Sequence, residues 1–274
     1  MTEHRYTPEW LALREPADTA ARADVLLPPL LAHLPLAPLV VRDLGCGTGA
    51  MGRWLSPRLP GPQHWILHDN DPELLALAAA SLGERNGHGP KVVVSAERRD
   101  VTGLRAEDLA GTSLVTASAL LDLLTAGEVD ALAAACVEAG CAALLGISVA
   151  GRVELDPADP LDPEIAAAFD DHQRRVTEGR RLLGPDAVAV AATAFAARGA
   201  TVRTAASPWR LGPEHRALTA EWLRGWAGAA VEQRPDLAPD AGPYLRRRLA
   251  ACTEGGLRVT VHHDDLLALP GPRP

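Results

Sequence analysis

Lysine is nearly missing: Lys91 is the only one among 27 lysines and arginines in a chain of 274 residues. A short-chain reductase needs a tyrosine and a lysine one helical turn apart, and neither Tyr6 nor Tyr244 lies near Lys91, so that chemistry cannot be assembled. The four cysteines, Cys46, Cys136, Cys141 and Cys252, include no CxxC pair, which argues against a disulfide framework and a structural zinc knot. Reduced thiols and no metal site are the expectation. Long apolar runs are absent too; the best candidate, residues 26–41, is broken by Pro28, Pro29, His33, Pro35 and Pro38, so no membrane span is expected. The start carries acids and prolines where a signal peptide needs a basic end followed by an apolar core, and a cytoplasmic location follows as the expectation. A formal net charge of -8 repels phosphate backbones, which argues against nucleic acid as the partner. The frequent alanine and the arginine in place of lysine read as GC-rich coding bias.

What is present is a folded globular chain: 47% hydrophobic and 23% charged residues are ordinary values for that class. At roughly 150 residues per domain the length fits one large domain or two small ones. No fixed-period repeat appears, which argues against a solenoid. Residues 39–44 form a β-branched run ending in Gly45-Cys46-Gly47-Thr48-Gly49, followed by a helical stretch from Ala50 to Leu59. Further strands are expected at 64–69, 91–95, 113–120 and 141–149, with helices after Asp71-Pro72 and between Gly127 and Gly140. Strands alternating with helices imply a parallel, doubly wound sheet. Three Asp-Pro steps at 156–163 mark a turn-rich insertion with the look of a lid base. Ile165, Ala168, Phe169, His172 and Val176 predict a short helix after it, 185–198 another, and Leu218, Trp222 and Trp226 the buried stripe of a third over 214–231. A strand start is read at 201, the last strand at 256–262 and a frayed tail at 270–274.

The glycine bend carries the chemistry. Alternating glycines let the backbone take positive φ and let a ligand approach without meeting a Cβ. Gly45-x-Gly47-x-x-Ala50, with Asp69 placed 24 residues after Gly45, also satisfies the dinucleotide fingerprint, so spacing alone cannot choose between NAD and another adenosine cofactor. Three features choose. Asp43, two residues before the first glycine, suits a cationic or amino-acid-bearing ligand better than a pyrophosphate. The reductase pair is missing. The third strand runs on to Asp100, an acid near the sheet's carboxyl edge where an adenine amine could donate.

At these residues the chain resembles the class I S-adenosylmethionine-dependent methyltransferases. Asp43-Leu-Gly-Cys-Gly-Thr-Gly49 matches their first motif, and His68-Asp69-Asn70-Asp71-Pro72-Glu73 resembles the acidic turn of their second. The resemblance covers residues 39–149 and implies an α/β fold: a doubly wound, Rossmann-like seven-stranded sheet with its last strand antiparallel, here with helical insertions forming a cap. It implies S-adenosyl-L-methionine as cofactor and S-adenosyl-L-homocysteine as product. The expected cofactor-binding residues are Asp43, Gly45, Cys46, Gly47, Thr48, Gly49, Asp69 on the ribose, Asn70, Asp100 near adenine, Val101, Ser118, and Arg14, either on the cofactor carboxylate or in an ion pair with Glu15 or Asp18. Ser113 departs from the acid often found at that position in the family. The helical segment over 214–252 exceeds the minimal fold and suggests a substrate cap or a homodimer face. The expected organisation is an N-terminal helical segment at 1–38 and a methyltransferase domain at 39–274, with cap insertions at about 150–184 and 212–253.

Methyl transfer is an in-line displacement in which holding the acceptor close and aligned supplies most of the acceleration. No obligatory catalytic residue exists. Where the acceptor is a hydroxyl, the candidate bases are His172, facing with Ile165, Ala168 and Phe169, then Asp122 beyond the fourth strand, then His68. Arg174, Arg175, Arg180 and Arg181 flank the lid and could draw an acidic substrate, or form a solvated face. Gly146-Ile-Ser148-Val-Ala150 is rejected as a hydrolase elbow because no helix follows, and His262-His263-Asp264-Asp265 is read as a strand end in water. The reading is a methyltransferase acting on a small molecule; its rivals are one acting on RNA or protein, and a non-catalytic cofactor-binding fold.

Overall fold

The structure, a computed structural model, describes residues 6–36, 38–83 and 91–271. Residues 272–274 of the tail lie outside them. The order is α1 (Pro8–Ala21), α2 (Leu27–His33), β1 (Leu39–Leu44), α3 (Ala50–Leu55), β2 (Gln63–Asp69), α4 (Pro72–Gly83), β3 (Val92–Arg98), β4 (Leu114–Ser118), α5 (Ala126–Ala139) and β5 (Ala142–Asp156). Then come α6 (Asp162–Gln173), α7 (Ala187–Ala196), β6 (Thr201–Ala206), α8 (Arg216–Gln233), α9 (Ala238–Thr253) and β7 (Arg258–Leu269). Local chemistry sets the helix ends. Thr7 Oγ1 accepts from the Trp10 amide at 3.2 Å and opens α1. Asp71 Oδ1 accepts from the Glu73 amide at 2.9 Å and opens α4, with Pro72 at its first turn. A reciprocal Thr125–Glu128 capping box opens α5, and Gly140 in the left-handed region closes it.

The strands lie in the order β3-β2-β1-β4-β5-β7-β6. Neighbours among β1 to β5 are parallel, and β7 runs antiparallel to both β5 and β6. A short strand, Trp209–Leu211, pairs with the start of β7 and adds an eighth strand to the seven expected. One face packs Val115, Leu145 and Leu266 under α5 and α7. The other packs Trp65 and Leu67 against Leu30, Trp54 and Leu82 of α2, α3 and α4. Among the described residues no helix is long and apolar enough to cross a membrane.

The fifth and last strands are longer than their sequence signatures. β5 continues past Val149 to Asp156, and the first half of β7 pairs along that extension. Together with Trp209–Leu211 they form a ribbon that carries the cap. Leu155, Val259 and Val261 pack there with Ile165, Trp222, Trp226 and Tyr244 from α6, α8 and α9. Gly151 and the charged Arg152 and Glu154 concealed the extension, because one face of the ribbon meets water. Val176 is not on α6, as its spacing predicted, but in a two-stranded hairpin (Val176–Thr177 with Arg180–Arg181), and is 64% exposed.

His262 to Asp265 lie within β7 rather than at a strand end in water, and Asp265 is buried. Its Oδ1 accepts from the Ile147 amide at 2.7 Å and Ser207 Oγ at 2.6 Å, and its Oδ2 from the Ala23 amide at 2.9 Å. Ile147 has a positive φ of 54°, beside a register shift between β7 and β5. That conformation costs a β-branched residue about 1–3 kcal/mol, and the Asp265 carboxylate holds it. Replacing Asp265 by Ala leaves two buried donors and one half-buried donor unpaired and should lower the unfolding free energy by about 3 kcal/mol in urea titrations; a loss near zero would show that the carboxylate does not hold the bulge.

Candidate functional site

The bend between β1 and α3 has the shape its glycines predicted. Gly45, Gly47 and Gly49 have φ of 59°, 53° and 88°. A Cβ at Gly45 would lie 3.2 Å from Leu120 Cδ1, and one at Gly47 3.2 Å from Leu11 Cδ1 on α1. Gly49 serves packing instead, since a Cβ there would lie 3.2 Å from the Ala78 Cα on α4. The Cys46 amide donates to the His68 carbonyl at 2.9 Å, stitching the bend to β2. Asp69 completes the tie: its Oδ2 accepts from the Gly47 amide and its Oδ1 from the Asp71 amide, both at 2.9 Å. Each carboxylate oxygen keeps a second lone pair for a ligand hydroxyl.

These residues open onto a cavity of about 770 Å³ at the carboxyl edge of the sheet. Gly45, Cys46, Gly47, Thr48, Asp69 and Asn70 lie on its wall, with Val101, Ser118 and Asp43. Burial pushes the Cys46 thiol up, so it stays protonated. Asp43 is buried: Thr116 Oγ1 donates to its Oδ1 at 2.7 Å, while its Oδ2 has no hydrogen-bond partner among the described residues. Burial raises its pKa to about 7, against the opposing pull of the Thr116 hydroxyl and the Arg22 guanidinium.

Arg22 is the residue that sequence reasoning missed. It follows α1, is buried, and donates from Nη1 to Ser118 Oγ at 3.2 Å and to Met51 Sδ at 3.5 Å. Its Nε and Nη2 have no partner among the described residues, and burial lowers its pKa. An unpaired cation and an unpaired carboxylate oxygen thus stand together beneath the cavity. No local motif marks Arg22; only its place after the N-terminal helix could have. Arg14, the cation expected to meet the cofactor carboxylate, does reach the cavity wall, but it is clamped to Asp18 through Nε at 2.9 Å and Nη2 at 3.2 Å. It also stacks over Trp209 at 4.9 Å, and the indole of Trp209 donates to Asp18 at 2.9 Å.

The remaining expectations divide. Asp100 is exposed and off the cavity wall; its Oδ1 caps a turn by accepting from the amide and hydroxyl of Thr102 at 2.9 and 2.7 Å. Its neighbour Val101 is on the wall in its place. His172 does not face the cavity: its ring is buried between α6 and α8, with Nε2 3.3 Å from Glu232 and Nδ1 3.4 Å from Arg175. The apolar stripe it shares faces the cap core and not a ligand. His68 is fully buried against Arg42 at 3.0 Å, and burial lowers its pKa to about 4, so it is no base for this cavity. Arg174 and Arg180 are tied to Asp186 and Glu128, each at 2.7 Å, beside a separate cavity of about 560 Å³. Asp122 lies between the wall residues Leu120 and Leu123; its Oδ1 is buried without a partner among the described residues, and burial raises its pKa.

No family model matches the chain. A curated relative, trans-aconitate 2-methyltransferase of Streptomyces avermitilis, is 38% identical over 93 residues, which is 34% of this chain and 34% of that protein. The likeness thus spans about one third of the relative's length. A cyclopropane synthase of Mycobacterium tuberculosis superposes with a TM-score of 0.51 at 15% identity, covering 96% of this chain and 94% of that one. Phosphoethanolamine N-methyltransferase 2 of Haemonchus contortus, solved with phosphomonomethylethanolamine and S-adenosylhomocysteine, gives 0.50 at 13% identity, covering 99% and 59%.

The buried Asp43 sets a pH signature for the ligand-free protein. Its folded pKa lies above the ordinary carboxylate value of about 4, so the fold holds a proton that the unfolded chain has released. Its contribution to stability therefore falls as pH rises from about 4 to about 7. Urea unfolding at pH 5 and pH 8 should show that fall in the wild type and a flatter dependence in Asp43→Asn; identical slopes would refute the assignment.

Proposed function

The chain has the class I S-adenosylmethionine-dependent methyltransferase fold, and we propose that it transfers the methyl group of S-adenosylmethionine to a small-molecule acceptor. The observation that carries this reading is the Asp69 carboxylate, tied to the glycine bend and turned to the cavity, with Asp43 Oδ2 and the Nε and Nη2 of Arg22 left without partners among the described residues. That set fits the cofactor: Asp69 takes the ribose hydroxyls, the bend admits the sulfur end without a Cβ in the way, and Asp43 and Arg22 answer an ammonium and a carboxylate. When bound, the cofactor supplies a methyl group on a positively charged sulfur.

The protein's part is placement. Helix α1 roofs the bend: Arg53 Nε donates to Glu15 Oε1 at 2.7 Å, and Arg53 also donates to the Thr48 carbonyl, fastening roof to floor. Closure excludes water and fixes the line of attack. The roof and the net charge of -8 favour a small acceptor over RNA. The curated relative's named acceptor, trans-aconitate, is also a small molecule.

Calorimetry with S-adenosylhomocysteine tests the reading directly. Binding is expected, with Asp69→Ala and Arg22→Gln each weakening it about tenfold or more, the equivalent of about 1.4 kcal/mol or more. At a hundredfold excess over its dissociation constant, the ligand should stabilise the fold by about 2.7 kcal/mol. Stabilisation by NAD, with none by S-adenosylhomocysteine, would overturn it.

A further inference from the structure

The buried guanidinium of Arg22 is held in place by no carboxylate. Among the described residues it belongs to no ion pair; Nη1 donates to Ser118 Oγ and Met51 Sδ, both on the cavity wall, while Nε and Nη2 have no partner. Burial works against its charge and the carboxylates of Asp18, Asp265 and Asp43 favour it. Yet all three are engaged elsewhere: Asp18 takes Arg14 and the Trp209 indole, Asp265 takes the Ile147 amide and Ser207, and Asp43 takes the Thr116 hydroxyl on one oxygen. What does lie against Arg22 is an aromatic face. Its Cζ sits over the Trp54 ring at 5.3 Å from the centroid, and Trp54 is buried too. Met51 and Trp54 are three residues apart on α3, so one face of that helix supplies both contacts. Arg58 fastens the indole from the turn after α3: its Cζ lies over the same ring at 5.0 Å, and its Nη1 donates to the Trp54 carbonyl at 2.5 Å. On the β5 side Gly146 leaves the space, since a Cβ there would lie 3.3 Å from Asp265 Oδ1 and 3.6 Å from Arg22 Nη1.

An aromatic face attracts a cation within about 6 Å of its centroid, most strongly for tryptophan and when both groups are out of water. A carboxylate partner would instead occupy two N–H groups of the planar fork, the same groups that recognise a ligand carboxylate. The indole steadies the charge and leaves the donors free. We propose that Trp54 is a positioning residue for the cofactor's carboxylate: its ring holds Arg22 in place so that Nε and Nη2 donate to that group. This rests on the methyltransferase reading. Trp54 is not on the cavity wall, so its effect reaches the ligand only through Arg22. The ribose and ammonium contacts assigned to Asp69 and Asp43 do not pass through it. Trp54 therefore acts on one end of the ligand and leaves the rest alone.

Calorimetry with two ligands tests it: S-adenosylhomocysteine, and its decarboxylated form, which keeps the nucleoside, the sulfur and the ammonium and lacks only the carboxylate. The wild type should prefer the first by about tenfold or more. The ratio of the two affinities should fall about tenfold in Trp54→Leu and about threefold in Trp54→Phe, which keeps a smaller ring, while the decarboxylated ligand stays within about twofold of its wild-type affinity in both. In Arg22→Gln the ratio is already low, and adding Trp54→Phe should not move it further. An unchanged ratio in Trp54→Phe, an equal loss of both ligands, or a further fall in the Arg22→Gln background overturns the proposal. Should Trp54→Leu not fold, the phenylalanine variant and the double substitution decide alone. A wild type that binds neither ligand sinks the methyltransferase reading itself. One that binds both equally leaves that reading standing and removes the role of Arg22 and Trp54, so the two failures are distinguishable.

Discussion

One carboxylate holds the site in shape. Asp69 ends β2 and accepts one amide from the glycine bend and one from the turn into α4, so its two oxygens pin neighbouring connections to each other. Without that tie the bend would be a run of left-handed glycines free to collapse into the space a ligand needs. With it, the amide of Gly47 is satisfied and the backbone stays back from the cavity. The charge arrangement follows: Asp43 comes from the strand beside Asp69, and Arg22, at the end of α1, acts on Asp43. Sheet register brings these groups together, since residues 43 and 67 are partners across β1 and β2.

The second constraint is the seam between the sheet and its cap. The ribbon of β5 and β7 belongs to both, and Asp265 on it reaches Ile147, Ser207 and Ala23, three segments distant in sequence. Helix α1 meets the seam at its other end, where Asp18 receives Trp209 and Arg14. Roof, cap and sheet are thereby linked by buried polar contacts as well as apolar packing. In the 3₁₀ turn after β4, which carries Asp122, that packing comes from Leu121 and Leu124.

The alternating half of the fold was written in local chemistry, and the seam was not. β-Branched runs, the Asp71-Pro72 start and the Gly140 stop each act within a few residues, so their reading needed no tertiary knowledge. Gly45, Gly47 and Asp69 were legible because a motif records a local backbone shape. Arg22 was not, because what distinguishes it is a missing partner, and partners are assigned only by folding. Arg14 was open between the cofactor carboxylate and an ion pair with Glu15 or Asp18; the pair with Asp18 forms, while the stacking on Trp209 has no signature in the sequence. His172 kept helical spacing with Ile165 and Ala168, but the spacing says which side of α6 it occupies and not what covers that side. Asp100 lay at the right edge of the sheet and turned to cap its own loop.

The clasps that fasten α1 and the hairpin share a chemical trait. Glu15 with Arg53, Asp18 with Arg14, Asp186 with Arg174 and Glu128 with Arg180 all pair a carboxylate with a guanidinium. An ammonium side chain would surrender its proton near pH 10, whereas a guanidinium keeps its own beyond pH 12. The fasteners therefore do not loosen in mild alkali. In acid the Arg174 and Arg180 guanidiniums hold the carboxyls of Asp186 and Glu128 below their usual range, so those two joints outlast ordinary carboxylates as protons accumulate.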